Sequence, residues 1–344
     1  MEKTYVDLLK EIGTEKPRKY NDHILLVDGL NTLIRAFSTS TVINSKGHNV
    51  GGLTGFLKSL GSIYRLIDPT RIIVAWDGEN GAQNRKNIDP NYKAQRVHSG
   101  IIHKDVYDTK VEELDSLKEQ SIRLIDYLSY LPITYVRIDK LEADDIIAYL
   151  AKKASKKGKQ VTILSTDRDF LQLVDANISV YSPVKKILYD YKTAAEYLQV
   201  LPENYNIVKA LVGDDSDNIR GIKGAGVKTL LKLFPKLNTE VCDLQYLYDT
   251  CAENLGTKKL YATILNEWDR LERNFKIMDL NETVLSKEEQ LELRDLIKVP
   301  LPNLKIGPFM LLLEQDQIDR IVTDTEGWLM QFLKLQNFFR NSLE

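Results

Sequence analysis

Four short apolar runs in this chain each stop at a carboxylate, and that recurrence constrains the fold more than any single motif. Residues 23–31 (HILLVDGLN) stay apolar as far as Asp28, and residues 71–78 (RIIVAWDG) as far as Asp77. Residues 133–139 (ITYVRID) lead into a helix opened by LEADD, and residues 160–169 (QVTILSTDRD) run into Asp167 and Asp169. Unbroken apolar runs this short read as strands covered on both faces. Between them the period changes: Leu53, Phe56, Leu57, Leu60 and Tyr64 recur at helical spacing, as nearly do Leu114, Leu117, Ile122, Ile125, Leu128 and Leu131. Strands alternating with helices predict an α/β fold, a mostly parallel sheet with helices on both faces. Ligand sites in such sheets lie beyond the carboxyl ends of the strands, where these acids fall.

The chain has 344 residues, 43% hydrophobic and 28% charged, enough for more than one folding region. Strand-like runs fade after about residue 200, and 240–344 is helical in pattern with a break at Pro300 and Pro302. The expected division is an extension over 1–22, an α/β core over 23–200, a second region over 201–240 and a helical region over 241–344. Two cysteines, Cys242 and Cys251, make no disulfide framework, and the four histidines are scattered without zinc spacing. A reducing, cytoplasmic setting is expected, since no signal peptide or membrane-length apolar run is seen.

Net charge is only −2, but it is segregated. Residues 219–236 and 151–160 each hold five Lys or Arg and no acid; the second run reads as a solvated face. Residues 83–104 hold Arg85, Lys86, Lys93, Arg96 and Lys104 against Asp89 alone. Nine acids stand at element ends: Asp28, Asp77, Glu142, Asp144, Asp145, Asp167, Asp169, Asp214 and Asp217. Each alone is an ordinary turn former or helix cap. Gathered at one sheet edge they repel unless cations neutralise them. An all-oxygen donor set without His or Cys fits Mg²⁺ or Mn²⁺, with room for two ions.

Residues 213–229 (GDDSDNIRGIKGAGVKT) test the alternatives. A P-loop needs Lys directly after its last glycine and a strand before its first; here Val227 intervenes and DDSDNIR precedes. The stretch reads instead as a tight glycine hairpin and a helix with Val227, Leu230, Leu231 and Phe234 as its apolar face. Gly221, Gly224 and Gly226 allow close approach of a backbone, and Lys223, Lys228 and Thr229 suit phosphate oxygens. This is the pattern of a helix-hairpin-helix gripping duplex DNA.

Taken in order, LLVDGLNTLIRAF, GFLKSL, IVAWDG, YKAQR, LEADDIIA, STDRDFLQLV and the hairpin resemble the flap endonuclease and 5′→3′ exonuclease family. That family includes the 5′-nuclease domain of bacterial DNA polymerase I and bacteriophage 5′-exonucleases of the RNase H type. The resemblance covers about residues 24–235. It implies a PIN-like nuclease core in which Asp28, Asp77, Glu142 and Asp144 hold a first metal ion. Asp145, Asp167, Asp169, Asp214 and Asp217 would form the second group, with Asp144 shared. It implies that Lys93 and Arg96 act at the scissile phosphate, that Arg35, Arg85 and Tyr92 touch DNA, and that residues 83–115 form an arch over a single-stranded 5′ end. A K⁺ ion at the hairpin is implied as well.

The implied activity is a Mg²⁺-dependent 5′→3′ exonuclease and flap endonuclease acting on 5′ flaps, nicked or branched duplexes and RNA–DNA hybrids. It would serve primer removal in the cytoplasm of a bacterial cell or phage-infected host. Replication proteins would meet the C-terminal region. Residues 332–340 (FLKLQNFFR) resemble a sliding-clamp peptide but read better as a packed terminal helix. A PIN-type ribonuclease and a catalytically silent junction-binding protein stand as alternatives.

Overall fold

The computed structural model describes residues 18–94, 100–281, 285–318 and 324–343. Six strands, β1 (His23–Asp28), β2 (Arg71–Trp76), β3 (Thr134–Arg137), β4 (Gln160–Leu164), β5 (Ile178–Ser182) and β6 (Ile187–Tyr189), form one sheet in the order 3-2-1-4-5-6. All neighbours are parallel except β5 and β6. Val27 lies opposite both Val74 and Leu164, so the three central strands end nearly level. Chain order reverses between β1 and β4, which opens a crevice at the carboxyl edge.

Successive strand residues alternate between two cores. Leu25, Val27, Ile72 and Val74 pack under α1 (Gly29–Thr39), α2 (Gly51–Ile67) and α4 (Lys110–Ser129), where Leu33, Phe56, Leu60 and Tyr127 are buried. Ile24, Leu26, Ile73 and Val161 pack on the opposite side under α5 (Ala143–Ser155), against Ile146, Ile147 and Leu150. Between β2 and α4 lies the short α3 (Gln83–Ile88). The helix at 110–129 begins inside the segment expected to be an arch over 83–115. Strands β5 and β6 were not legible in the sequence. Pro183 and two lysines interrupt them, and β6 is an edge strand whose Ile187 and Leu188 stay exposed.

After the sheet come α6 (Tyr191–Leu198), α7 (Tyr205–Val212) and α8 (Val227–Leu233). Then follow α9 (Leu244–Glu253), α10 (Lys259–Asn266), α11 (Trp268–Met278), α12 (Lys287–Lys298), α13 (Ile306–Asp316) and α14 (Thr325–Arg340). These last helices divide between the two cores. Leu247, Ile264, Leu271 and Leu293 join the α5 side, whereas Phe309, Trp328, Phe332 and Leu335 join the α2 side. The crossing occurs after α12, at the break marked by Pro300 and Pro302.

The terminal helix packs through Trp328, Phe332 and Leu335, one face at i, i+4 and i+7. Phe332 and Leu335 are fully buried, so two of the residues that resembled a clamp-binding peptide are spent in the core, while Phe338 and Phe339 are half-buried. Trp328 stacks on Phe309 at 5.3 Å and lies 4.5 Å from Phe332, between ring centroids. Its seat on α2 exists because Gly61 has no side chain: a Cβ there would fall 2.1 Å from Trp328 Nε1. Gly61→Ala is therefore expected to destabilise by about 1–3 kcal/mol through overpacking, and Trp328→Ala by about 3–5 kcal/mol through a cavity. In urea unfolding the double variant should cost less than the sum, because the second change removes the clash. Strict additivity would contradict this packing.

Candidate active site

The acids sit where the strands end because the first residues after each strand turn into a helix and need caps. Asp28 caps α1, its Oδ1 accepting from the Asn31 N–H at 3.2 Å and its Oδ2 from the Ser165 hydroxyl at 3.1 Å. Asp77 Oδ1 accepts from the Ala143 N–H at 2.7 Å, at the start of α5. Glu142 is the N-cap of that helix, and Asp144 and Asp145 stand in its first turn, where the helix dipole favours anions. Asp167 accepts from the Asp169 N–H at 2.9 Å.

Two groups result. Glu142, Asp144 and Asp145 each offer one carboxylate oxygen, all within 4.8 Å of one another, a spacing able to hold a cation. Arg85 of α3, almost fully buried, is anchored by Nε to the Ile277 carbonyl at 3.0 Å. Its Nη1 lies 2.5 Å from Glu142 Oε2 and 3.3 Å from Asp144 Oδ1, and its Nη2 lies 2.9 Å from Asp145 Oδ1. Lys93 Nζ bonds the other Glu142 oxygen. The second group, Asp167, Asp169 and Asp214, lines a cleft of about 510 Å³ with Asn31, Arg35 and Lys209. Lys209 Nζ bridges Asp169 and Asp214, the latter at 2.8 Å.

Protonation follows from this environment. Burial, reinforced by the charges of Asp77 and Asp167, pushes the Asp28 carboxyl up to about 7. Burial likewise raises Asp169 to about 6, against the pull of Lys209. Asp145 is raised by burial despite Arg85, and Asp144 further still. Burial works the same way on Glu142, but Arg85 and Lys93 together hold it below the usual range.

Several expectations change. Arg85, expected on DNA, is instead the buried counter-ion of the first acid group. Tyr92, expected on DNA too, is buried with Ile219, Ile277 and Met278, its hydroxyl 3.3 Å from Glu142 and 3.4 Å from Asp217. Asp145 and Asp217, expected with the second group, stand on the Glu142 side, beside Arg85 and Tyr92 respectively. Arg96 lies outside the described residues. Arg35 is exposed on the cleft rim, its Nε 3.2 Å from the Thr166 hydroxyl.

In the hairpin, β7 (Gly213–Asp214) pairs with β8 (Ile219–Arg220). A Cβ on Gly221 would fall 1.9 Å from the Val212 carbonyl oxygen, so Gly221 serves chain packing rather than a ligand. Gly224 has φ +90°, the left-handed region that glycine favours. Lys223, Gly224, Gly226, Lys228 and Thr229 are exposed together. Leu230 and Phe234 are buried and Leu231 packs against the core, but Val227 is exposed, so the apolar face of α8 is narrower than expected. The hairpin is tied to the segment after α3: the Lys93 N–H donates to the Asp217 carbonyl and Asn218 Nδ2 to the Asn91 carbonyl, both at 2.9 Å.

Sequence reasoning missed Lys209. Its signal was present: one lysine inside the apolar helix stretch NIVKALV, five residues before Asp214. A lysine buried there needs a carboxylate.

Residues 23–199 match the model of the family described as 5′-3′ exonuclease, N-terminal resolvase-like domain. The chain belongs to the 5′-3′ exonuclease family. It is 29% identical to the 5′-3′ exonuclease of Aquifex aeolicus (strain VF5) over 80% of this chain and 94% of that protein. It is 33% identical to the 5′-3′ exonuclease of Bacillus subtilis (strain 168) over 64% of this chain and 72% of that protein. The thermostable DNA polymerase I of Thermus thermophilus matches at 34% identity over 61% of this chain but only 23% of its own length. Among solved structures, bacteriophage T5 5′-exonuclease with bound zinc superposes with TM-score 0.62 at 21% identity, covering 80% of this chain and 99% of that one. That likeness establishes the same fold. This family member is thus an enzyme, a nuclease that hydrolyses phosphodiesters, and the silent junction-binding alternative falls away.

The donor set fits divalent cations: oxygen ligands only, partly buried and partly paired with Arg85, Lys93 and Lys209. Protonated carboxyls do not ligate, so divalent-ion affinity should rise as pH passes 6 and 7, through the values of Asp169 and Asp28. Carboxyls raised in the folded state also contribute stability below pH 4 that is lost as pH rises through 6 to 7. Mg²⁺ should therefore raise Tm more at pH 8 than at pH 5.5 in thermal unfolding with and without EDTA. An equal shift at both pH values would count against metal capture by these raised carboxyls.

Proposed function

We propose that this chain is a structure-selective 5′ nuclease, cutting DNA at 5′ flaps and at nicked or branched duplexes and removing RNA primers annealed to DNA. The observation that carries the reading is the juxtaposition of two carboxylate groups at one sheet edge with an exposed cationic hairpin tied to the same edge. Two Mg²⁺ or Mn²⁺ ions would be held by Asp28, Asp77, Glu142, Asp144, Asp145 and Asp217 on one side, and by Asp167, Asp169 and Asp214 on the other. When bound, such ions supply Lewis-acid stabilisation of the phosphate and an activated water.

The chain's own residues do the rest. Lys93 presents its ammonium beside Glu142, where negative charge on a reacting phosphate would develop, and Arg96 is assigned to the same task. Arg35 on the cleft rim steadies a neighbouring phosphate. Lys223, Lys228 and Thr229, with the open backbone at Gly224 and Gly226, hold the downstream duplex without reading sequence, with K⁺ on main-chain oxygens as an added contact. Arg85 and Tyr92 act by holding the acids. In this reading residues 23–200 are the nuclease core, 201–240 the duplex grip and 241–344 its packed support. No helix among the described residues is long and apolar enough to cross a membrane, in keeping with action on DNA in the cytoplasm. The flap preference separates this reading from a PIN-type ribonuclease.

A 5′-labelled flap duplex incubated with Mg²⁺ should give a flap-length product cut near the junction. EDTA should abolish it, and Asp167→Asn should slow it by about 10³-fold, roughly 4 kcal/mol of transition-state stabilisation. Lys93→Ala should cost about 10²–10³-fold, the range for one lost donor to developing charge. Release of mononucleotides alone would restrict the enzyme to exonuclease action, and cleavage of single-stranded RNA in preference to the flap would favour the ribonuclease.

The hairpin has a separate signature. Lys223→Ala and Lys228→Ala should raise KM with little change in kcat, and each should reduce the log–log salt slope of duplex binding by about 1. Unchanged salt dependence in the double variant would remove the hairpin from the interface.

A further inference from the structure

The opposite edge of the sheet holds a second feature that the nuclease reading leaves unused. Beneath α5, at the amino ends of β1, β2 and β4, lies a cavity of about 250 Å³. Ile24, Leu26, Ile73 and Val161 of the sheet, with Leu150 above them, make its wall apolar. Arg71, Lys153, Lys157 and Lys159 surround it. Among the described residues no acidic side chain lines it.

Arg71 is the telling residue. It is 6% exposed, yet among the described residues its guanidinium meets only neutral groups: Asn21 Oδ1 at 3.0 Å, Thr134 Oγ1 at 3.1 Å, the Ile297 carbonyl at 2.5 Å and the Tyr20 ring, whose centroid lies 5.2 Å from Cζ. Its Nε is buried with no hydrogen-bond partner at all. Buried arginines are ordinarily matched by a carboxylate or phosphate, because an uncompensated charge inside a protein is costly. Of the three lysines, Lys159 alone is ion-paired among the described residues, to Asp22 at 2.7 Å. Lys153 rests on the Tyr149 ring and hydroxyl. Lys157 is exposed, one helical turn beyond Lys153.

From this arrangement we propose that the cavity receives the acidic C-terminal end of a partner polypeptide, its last apolar side chain filling the cavity, its free carboxylate meeting Arg71 and its preceding acids lying along Lys153 and Lys157. The size is suitable: a dry cavity of about 150 Å³ lined by aliphatic and aromatic side chains already holds a benzene ring. The apolar wall speaks against a nucleic-acid backbone, which offers no apolar group to bury. The cationic rim runs from Lys153 to Lys157, with Lys156 also exposed beside it, longer than a small anion would use. The lysine run is thus a recognition surface rather than a merely solvated face. The site lies a strand's length, roughly 17 Å, from the carboxylates, so an occupied partner would leave the catalytic edge free.

The test uses the full chain and a fluorescein-labelled pentapeptide, Asp-Asp-Asp-Leu-Phe, with a free C-terminal carboxylate, followed by fluorescence anisotropy. Saturable binding is expected, weakened at least tenfold by C-terminal amidation, by Lys153→Glu with Lys157→Glu, and by 0.5 M salt relative to 0.05 M. Arg71→Lys, which keeps the charge but loses the planar fork, should weaken the free-acid peptide more than the amide. Nuclease activity of the two-lysine variant on the flap substrate should be unchanged, which shows that it folds. The proposal is overturned if the peptide does not saturate, if the amide binds equally well, or if the lysine changes have no effect. It is equally overturned if a single-stranded oligonucleotide or octanoate displaces the peptide at equal concentration, which would assign the surface to DNA or to a small amphiphile.

Discussion

Charge compensation at the carboxyl edge of the sheet is the constraint on which the rest of this structure depends. Acids delivered there by β1, β2, β4 and the start of α5 repel one another, and burial makes the repulsion stronger. Among the described residues three cations from different parts of the chain offset it: Arg85 from α3, Lys93 just beyond it, and Lys209 from α7. Each reaches the edge from a segment outside the sheet. Neutralising the acids therefore also fixes the segment after β2 and the hairpin-bearing helix in place. Burial, reinforced by the charges of Asp77 and Asp167, still holds the proton on Asp28 to about pH 7 against the hydrogen bonds from Asn31 and Ser165.

The helices after residue 240 serve the same edge indirectly. The side-chain amide of Asn274 in α11 donates to the carbonyls of Ala210 and Arg220, at 3.0 and 2.9 Å, fixing the hairpin from behind. The carbonyl of Ile277 holds Arg85. Gln172, following the Asp167–Asp169 turn, bonds the Met278 carbonyl and the Leu280 N–H. One short stretch of helix thus anchors parts of both acid groups and the hairpin, so the C-terminal part of the chain contributes to the geometry of the site without contributing an acid.

Much of this was legible in the residues, for a definable reason. Strands β1, β2 and β4 are buried on both faces, so their sequences are nearly unbroken apolar runs, and the acids stand at or just past their ends. The terminal helix was readable because Trp328, Phe332 and Leu335 keep a helical period. Strands β5 and β6 were not, since an edge strand with exposed Ile187 and Leu188 carries no such pattern. The burial of Arg85 and Tyr92 beside the acids was not legible, because a basic or aromatic residue in a polar stretch looks the same whether it faces DNA or a buried carboxylate. The packing constraint at Gly221 was not legible either, because a glycine needed for chain packing has no separate signature.

The sequence by itself determined the α/β class, four of the strands, the acids at their ends and the membership of the 5′-3′ exonuclease family, since all of these are written in local runs and ordered motifs. Only the tertiary structure decided which cation meets which acid, and that Asp145 and Asp217 stand on the Glu142 side. Only it revealed that Lys209 closes the second group and that Arg71 lies buried at the far edge with no carboxylate beside it among the described residues. Such pairings join residues distant along the chain, and their energies depend on burial, which no local pattern of residues encodes.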